Sequence, residues 1–161
     1  MRELGSRLTN TLDDTAIAHL IGAAATHSDR GDGGALLYLV ETPDGSLLFQ
    51  DTSGHWAAVL DTLAPDVAIL AAAGRGTVDG EPVQGSLAGF VADEARALGA
   101  QRLVLGHHDN WLPGFSSAPD LGPIRRALAE RAPGVELLEP SYLEATPVFA
   151  GLTPRADRPG P

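Results

Sequence analysis

Apolar and polar positions change their period several times along the chain, and each change predicts an element. Ala16 to Ala25 is a continuous apolar run that predicts a buried strand, with its alanines leaving a helix open. After the Gly-rich loop Gly31 to Gly34, the runs Ala35 to Glu41 and Ser46 to Gln50 flank Thr42-Pro43-Asp44-Gly45, turn chemistry suited to a β-hairpin. Trp56 to Leu63 reads as a short helix, and Asp66 to Ala72 as a buried strand bounded by Pro65 and Gly74. Ser86 is an N-cap candidate for a helix whose apolar positions Leu87, Phe90, Val91, Ala95 and Leu98 keep helical spacing up to Gly99. Arg102 to Gly106 is the next strand, Asp120 opens a helix carrying Ile124 and Leu128 that stops at Pro133-Gly134, and Val135 to Glu139 returns as a strand. A last strand is expected near Val148.

This succession predicts an α/β fold with a mixed β-sheet flanked by helices. Its 161 residues, 43% hydrophobic, suffice for one domain with a core. No repeat or linker divides residues 1–152, and the Pro-, Arg- and Asp-rich residues 153–161 are expected to be a disordered tail.

Charge and cysteine content narrow the chemistry. Acids outnumber bases by 21 to 11, a net charge of −10, which argues against a nucleic-acid or anionic-membrane partner. With no cysteine, any metal must be held by imidazole and carboxylate, and disulfides and thiol nucleophiles are excluded. Met1 to Asp14 lacks a hydrophobic signal core and no apolar run approaches the roughly 20 residues of a membrane span, so a cytoplasmic location is expected.

The predicted elements give three polar residues a common place. Hairpin geometry carries Asp51 back toward Ala35 and the Gly31 to Gly34 loop, His27 lies just before that loop, and His107 follows the strand Arg102 to Gly106. In a parallel arrangement residues just past the strand C-termini share one rim, the usual rim for ligands. Other chemistries fit less well. Gly74-Arg75-Gly76-Thr77-Val78-Asp79-Gly80 lacks the spacing and the lysine of a phosphate loop and reads as a flexible loop. No G-x-S-x-G nucleophile elbow exists.

The order Ala24-Ala25-Thr26-His27-Ser28, then Gly33-Gly34-Ala35-Leu36-Leu37-Tyr38-Leu39-Val40, then Leu47-Leu48-Phe49-Gln50-Asp51-Thr52, then Pro65-Asp66-Val67-Ala68-Ile69-Leu70, then Leu105-Gly106-His107-His108-Asp109-Asn110-Trp111 resembles the C-terminal half of a metallo-β-lactamase-fold metallohydrolase, from about Ala16 to Leu152. The resemblance implies that residues 1–152 form part of an αββα sandwich. It implies that His27 binds a first metal, that Asp51 is the catalytic carboxylate bridging two metals, and that His107 binds the second. His108, Asp109 and His55 would lie outside the direct ligands, lining the pocket or orienting an imidazole.

One or two zinc ions, with manganese or iron(II) as substitutes, would then serve two-metal hydrolysis of a small-molecule ester, lactone, amide or phosphoester. The H-x-H-x-D-H motif of that family does not occur in this chain. The resemblance therefore implies a half-site, incomplete or inactive alone, to be completed by a homodimer or a complementary N-terminal half. The alternative is a non-catalytic remnant that pairs through an exposed sheet face. Residue by residue, Asp51 could instead shape a turn or cap the helix near Trp56, His55 could pack at that helix start, and His19 could be a hydrogen-bonded core residue.

Overall fold

In the computed structural model, which describes residues 13, 15, 16, 18, 19, 36–74, 76–109, 118 and 120–153, the Pro43-Asp44 turn joins β1 (Leu37–Thr42) to β2 (Gly45–Gln50). The Thr42 hydroxyl donates to the Gly45 carbonyl at 2.8 Å and accepts the Gly45 N–H at 3.1 Å. These bonds fix the antiparallel register from Thr42↔Gly45 to Leu37↔Gln50. The elements that follow are β3 (Gly54–His55), α1 (Ala57–Leu60), β4 (Val67–Ala71), β5 (Thr77–Val78), β6 (Glu81–Pro82), α2 (Leu87–Leu98), β7 (Arg102–Gly106), α3 (Gly122–Arg131) and β8 (Glu136–Leu138).

Contacts group the chain into two units, Met1–Leu36 with His108–Pro119, and Leu37–His107 with Asp120–Pro161. The second holds nearly all the described residues. Its main sheet has the order β1-β2-β4-β7-β8, with β2, β4, β7 and β8 parallel and β1 antiparallel at one edge. A second sheet of β3, β5 and β6 stands beside it. The architecture is mixed α/β, a mixed sheet flanked by helices.

Side chains alternate across a strand, so one set of positions can be buried while the next is not. Leu48, Ala68, Leu70, Leu103 and Leu105 occupy one face and form the core with Leu60 of α1, with Phe90, Val91, Ala95 and Leu98 of α2, and with Ile124 and Leu128 of α3. Each fully buried leucine contributes about 1.5–3 kcal/mol relative to exposure. The opposite face begins with Tyr38, Val40 and Phe49, all exposed, so the side of the sheet away from the helices is apolar at its β1 edge.

Helix α2 begins and ends where its caps dictate. The Ser86 hydroxyl accepts the Gly89 N–H at 3.1 Å, and Gly99 stops the helix at φ 59°, a left-handed conformation that costs glycine nothing. Ser86→Ala is expected to lower stability by about 1 kcal/mol, read as a shift in the urea midpoint at unchanged slope; no shift would mean that the cap is idle.

Four expectations need correction. Thr15, Ala16, Ala18 and His19 are helical, not strand, because alanine is the best helix former and the Asp13 carboxylate accepts the Ala16 N–H at 2.8 Å as a cap. His19 is accordingly exposed rather than a core residue. The Gly74 to Gly80 stretch is no plain loop, since Asp79 (φ 52°) and Gly80 (φ 84°) make the tight turn that pairs β5 with β6. Val148 lies in a turn, and its carbonyl bonds to the Arg102 guanidinium instead of to a strand. Thr153, where composition predicts the tail to begin, exchanges two hydrogen bonds with the Gln101 side chain at 2.9 and 3.0 Å. Residues 154–161 lie outside the described residues.

Candidate functional site

The parallel strands β2, β4 and β7 end at one rim. Asp51 follows β2 and His107 follows β7, with β4 between them. The chain at the end of β4 is Ala71-Ala72-Ala73, and the Ala72 N–H donates to the Gly106 carbonyl at 2.9 Å. Across that segment the His107 Nδ1 and the Asp51 Oδ1 stand 4.0 Å apart. That distance exceeds hydrogen-bond length. Both side chains face solvent, with 49% of His107 and 62% of Asp51 exposed, so they are free to take a ligand between or beside them.

The backbone at His107 is set apart from the strand before it. Its φ of 52° is left-handed, a conformation that non-glycine residues adopt at a cost of order 1–3 kcal/mol and that concentrates at functional sites. The chain turns off β7 there and swings the imidazole toward Asp51. The Asp51 side chain makes no hydrogen bond among the described residues. It does not cap the helix near Trp56 either, because the Ala57 N–H is taken by the Asp79 carboxylate at 2.8 Å.

The remaining candidates divide. His27 lies outside the described residues. His108 and Asp109 belong to the first unit; the His108 Nδ1 is buried without a hydrogen-bond partner among the described residues, and the nearest Asp109 oxygen, at 4.0 Å, is too far to orient it. His55 is not packing material for a helix start. It sits on β3, its ring stacks on Phe90 with centroids 5.6 Å apart, and its Nδ1 lies 2.7 Å from the Glu94 Oε1.

Glu94 is the residue that sequence reasoning missed. Only 2% exposed, it projects from α2 into the core and also accepts the Gln50 Nε2–H at 2.8 Å. A signal was present in the pattern. Glu94 falls four residues after Phe90 and four before Leu98, on the apolar face of the helix, where a carboxylate has no packing reason to be.

Comparison with family models, with curated proteins and with solved structures found no match. What the rim can do rests on its own geometry. Imidazole nitrogen and carboxylate oxygen are the donors zinc, manganese and iron(II) accept from a cysteine-free chain. Asp51 and His107 supply two of them, fewer than the three or so protein ligands of a catalytic zinc. Among the described residues no three His, Cys, Asp or Glu side chains gather closely enough to hold a metal ion. A shallow pocket of about 400 Å³ between α3 and β8, flanked by the Arg125–Glu139 ion pair, carries none of the candidate residues. Among the described residues no helix is long and apolar enough to cross a membrane.

Proposed function

We propose that the chain is the metal-binding C-terminal half of a metallo-β-lactamase-fold hydrolase acting on a small-molecule ester, lactone, amide or phosphoester. The observation that carries this reading is the meeting of Asp51 and His107 at 4.0 Å, from two strands that are not neighbours in the sheet. Residues 56 positions apart in sequence converge on one rim there, exposed and short of hydrogen-bond contact, next to a strained backbone position.

On this reading Asp51 and His107 hold a divalent ion, and the other donors come from a complementary segment or a second copy. The ion would supply Lewis-acid polarisation and a nucleophile at neutral pH. The chain's own contribution is placement. The Asp51 carboxylate, free of hydrogen bonds among the described residues, can bind the ion or accept a proton, and the left-handed turn at His107 fixes where the imidazole sits.

The test is metal content of the purified chain by mass spectrometry after incubation with zinc, manganese or iron(II) and removal of the excess. Retained zinc in the wild type, with loss on Asp51→Ala and on His107→Ala at unchanged fold, is the expected result. Equal retention in both variants would remove the site.

A second reading rests on a different observation, the exposed apolar side chains Tyr38, Val40 and Phe49 on the sheet face away from the helices. A non-catalytic module that pairs through this face predicts thermal stability that rises with protein concentration and does not respond to metal. Stability independent of concentration would dismiss it.

A further inference from the structure

The loop that carries Asp51 is tied down on every side except at Asp51 itself. Gln50, the last residue of β2, donates from its Nε2 to the Thr52 carbonyl at 3.0 Å, so one amide nitrogen spans Asp51. The same nitrogen donates to the Glu94 Oε1 at 2.8 Å. The Ser53 hydroxyl donates to the Ala73 carbonyl at the end of β4. His55 closes the loop, its Nδ1 reaching that same Glu94 oxygen at 2.7 Å. A carboxylate oxygen only accepts, so the imidazole is the donor and His55 carries a proton on Nδ1.

Both ends of the 50–55 segment thus meet on one buried carboxylate. Phe90, one turn earlier on α2, completes the seat: the His55 ring stacks on one part of it, and Gly76 packs so close to the Phe90 ring that a Cβ there would fall 2.6 Å from it. Burying a carboxylate in the core is costly, and a leucine at this position of α2 would pack without that cost. Stability alone does not account for Glu94. Its effect is on the loop.

We propose that Glu94 is a positioning residue for the rim, a buried carboxylate that grips Gln50 and His55 so that the loop presents the Asp51 carboxylate toward His107. For its consequence on metal binding this rests on the hydrolase reading; the clamp itself does not. The arrangement is the supporting carboxylate–imidazole pair placed one step back from the residues that meet the ligand.

The experiment uses the full chain, labelled with ¹⁵N, and three variants: Glu94→Gln, whose amide oxygen still accepts both hydrogen bonds; Glu94→Leu, which packs but accepts none; and Gln50→Leu, which removes one grip and leaves the other. Ring-nitrogen NMR reads the His55 tautomer, amide exchange reads residues 52–55, and titration with zinc alone reads the site. The wild type and Glu94→Gln are expected to show the Nδ1–H tautomer, protected loop amides and closely similar zinc affinity. Glu94→Leu is expected to lose the tautomer preference and the protection, and to bind zinc about tenfold or more weakly. Gln50→Leu is expected to keep the tautomer while residues 52 and 53 exchange faster.

An Nε2–H tautomer in the wild type, or a folded Glu94→Leu with tautomer and exchange unchanged, overturns the clamp. If Glu94→Leu does not fold, Gln50→Leu decides, and unchanged exchange at 52 and 53 overturns it. If the wild type binds no zinc while the tautomer and exchange results come out as expected, the clamp stands and the hydrolase reading falls.

Discussion

Arg102→Ala is expected to destabilise the chain by about 3 kcal/mol, the loss of several hydrogen bonds to a charged donor partly offset by relaxation and water entry. The guanidinium is only 8% exposed at the first position of β7, on the sheet face away from the helices. It donates through Nε and Nη2 to one Glu136 oxygen at 3.0 and 2.7 Å, through Nη1 to the Val148 carbonyl at 2.6 Å, and through Nη2 to the Ala150 carbonyl at 3.1 Å. One side chain therefore fastens β8 and the segment after it to β7. The two ends of the ion pair are not equivalent, because Glu136 is 56% exposed and water can replace it. Glu136→Ala is expected to cost about 1 kcal/mol or less, as exposed ion pairs do. Urea unfolding of both variants checks the asymmetry, and amide exchange at 148–153 should rise only in Arg102→Ala. Equal losses in the two variants would mean that the carbonyl bonds contribute nothing.

Leu70→Ala carries the second large effect, a loss of about 2–5 kcal/mol from a fully buried side chain near the C-terminal end of β4. Its consequence reaches the rim. Strand β4 separates β2 from β7, so a cavity that lets β4 shift also changes the gap across which Asp51 and His107 face one another. Leu128 of α3, 4% exposed, makes the control, since its truncation removes comparable apolar contact from the far side of the core. Both variants should unfold at lower urea, and only Leu70→Ala should also weaken zinc. Equal effects on zinc would show that the rim responds to stability in general and not to the position of β4.

Local chemistry made most of the second unit legible. Helix α2 and strand β7 lie where apolar spacing and the Ser86 and Gly99 caps put them, because caps and turns act within a few residues and override little else. The hairpin was readable for the same reason. The strand expected at Ala16 to Ala25 failed where period could not decide between two structures, and the alanines and the Asp13 cap decided for helix at Ala16, Ala18 and His19. The hairpin of β5 and β6 had its signal in Asp79-Gly80, but strands of two residues show no alternation from which to read it.

Of the candidate site, the strand-end positions of Asp51 and His107 followed from the order of elements alone, since parallel strands deliver their C-terminal residues to one edge. What the sequence by itself determined is therefore the strands of the main sheet and the helices of the second unit, the absence of thiol chemistry and the rim on which two of the three expected ligands lie. Tertiary structure decided the rest. The 4.0 Å approach depends on β4 lying between β2 and β7, and the left-handed turn at His107 is a product of the chain leaving the sheet. The grip of Glu94 joins residues 44 and 39 positions apart, Gln50 and His55. Pairings of that kind are set by how α2 packs on the sheet, and a packed core chooses its partners by proximity in space, which a local pattern of residues does not encode.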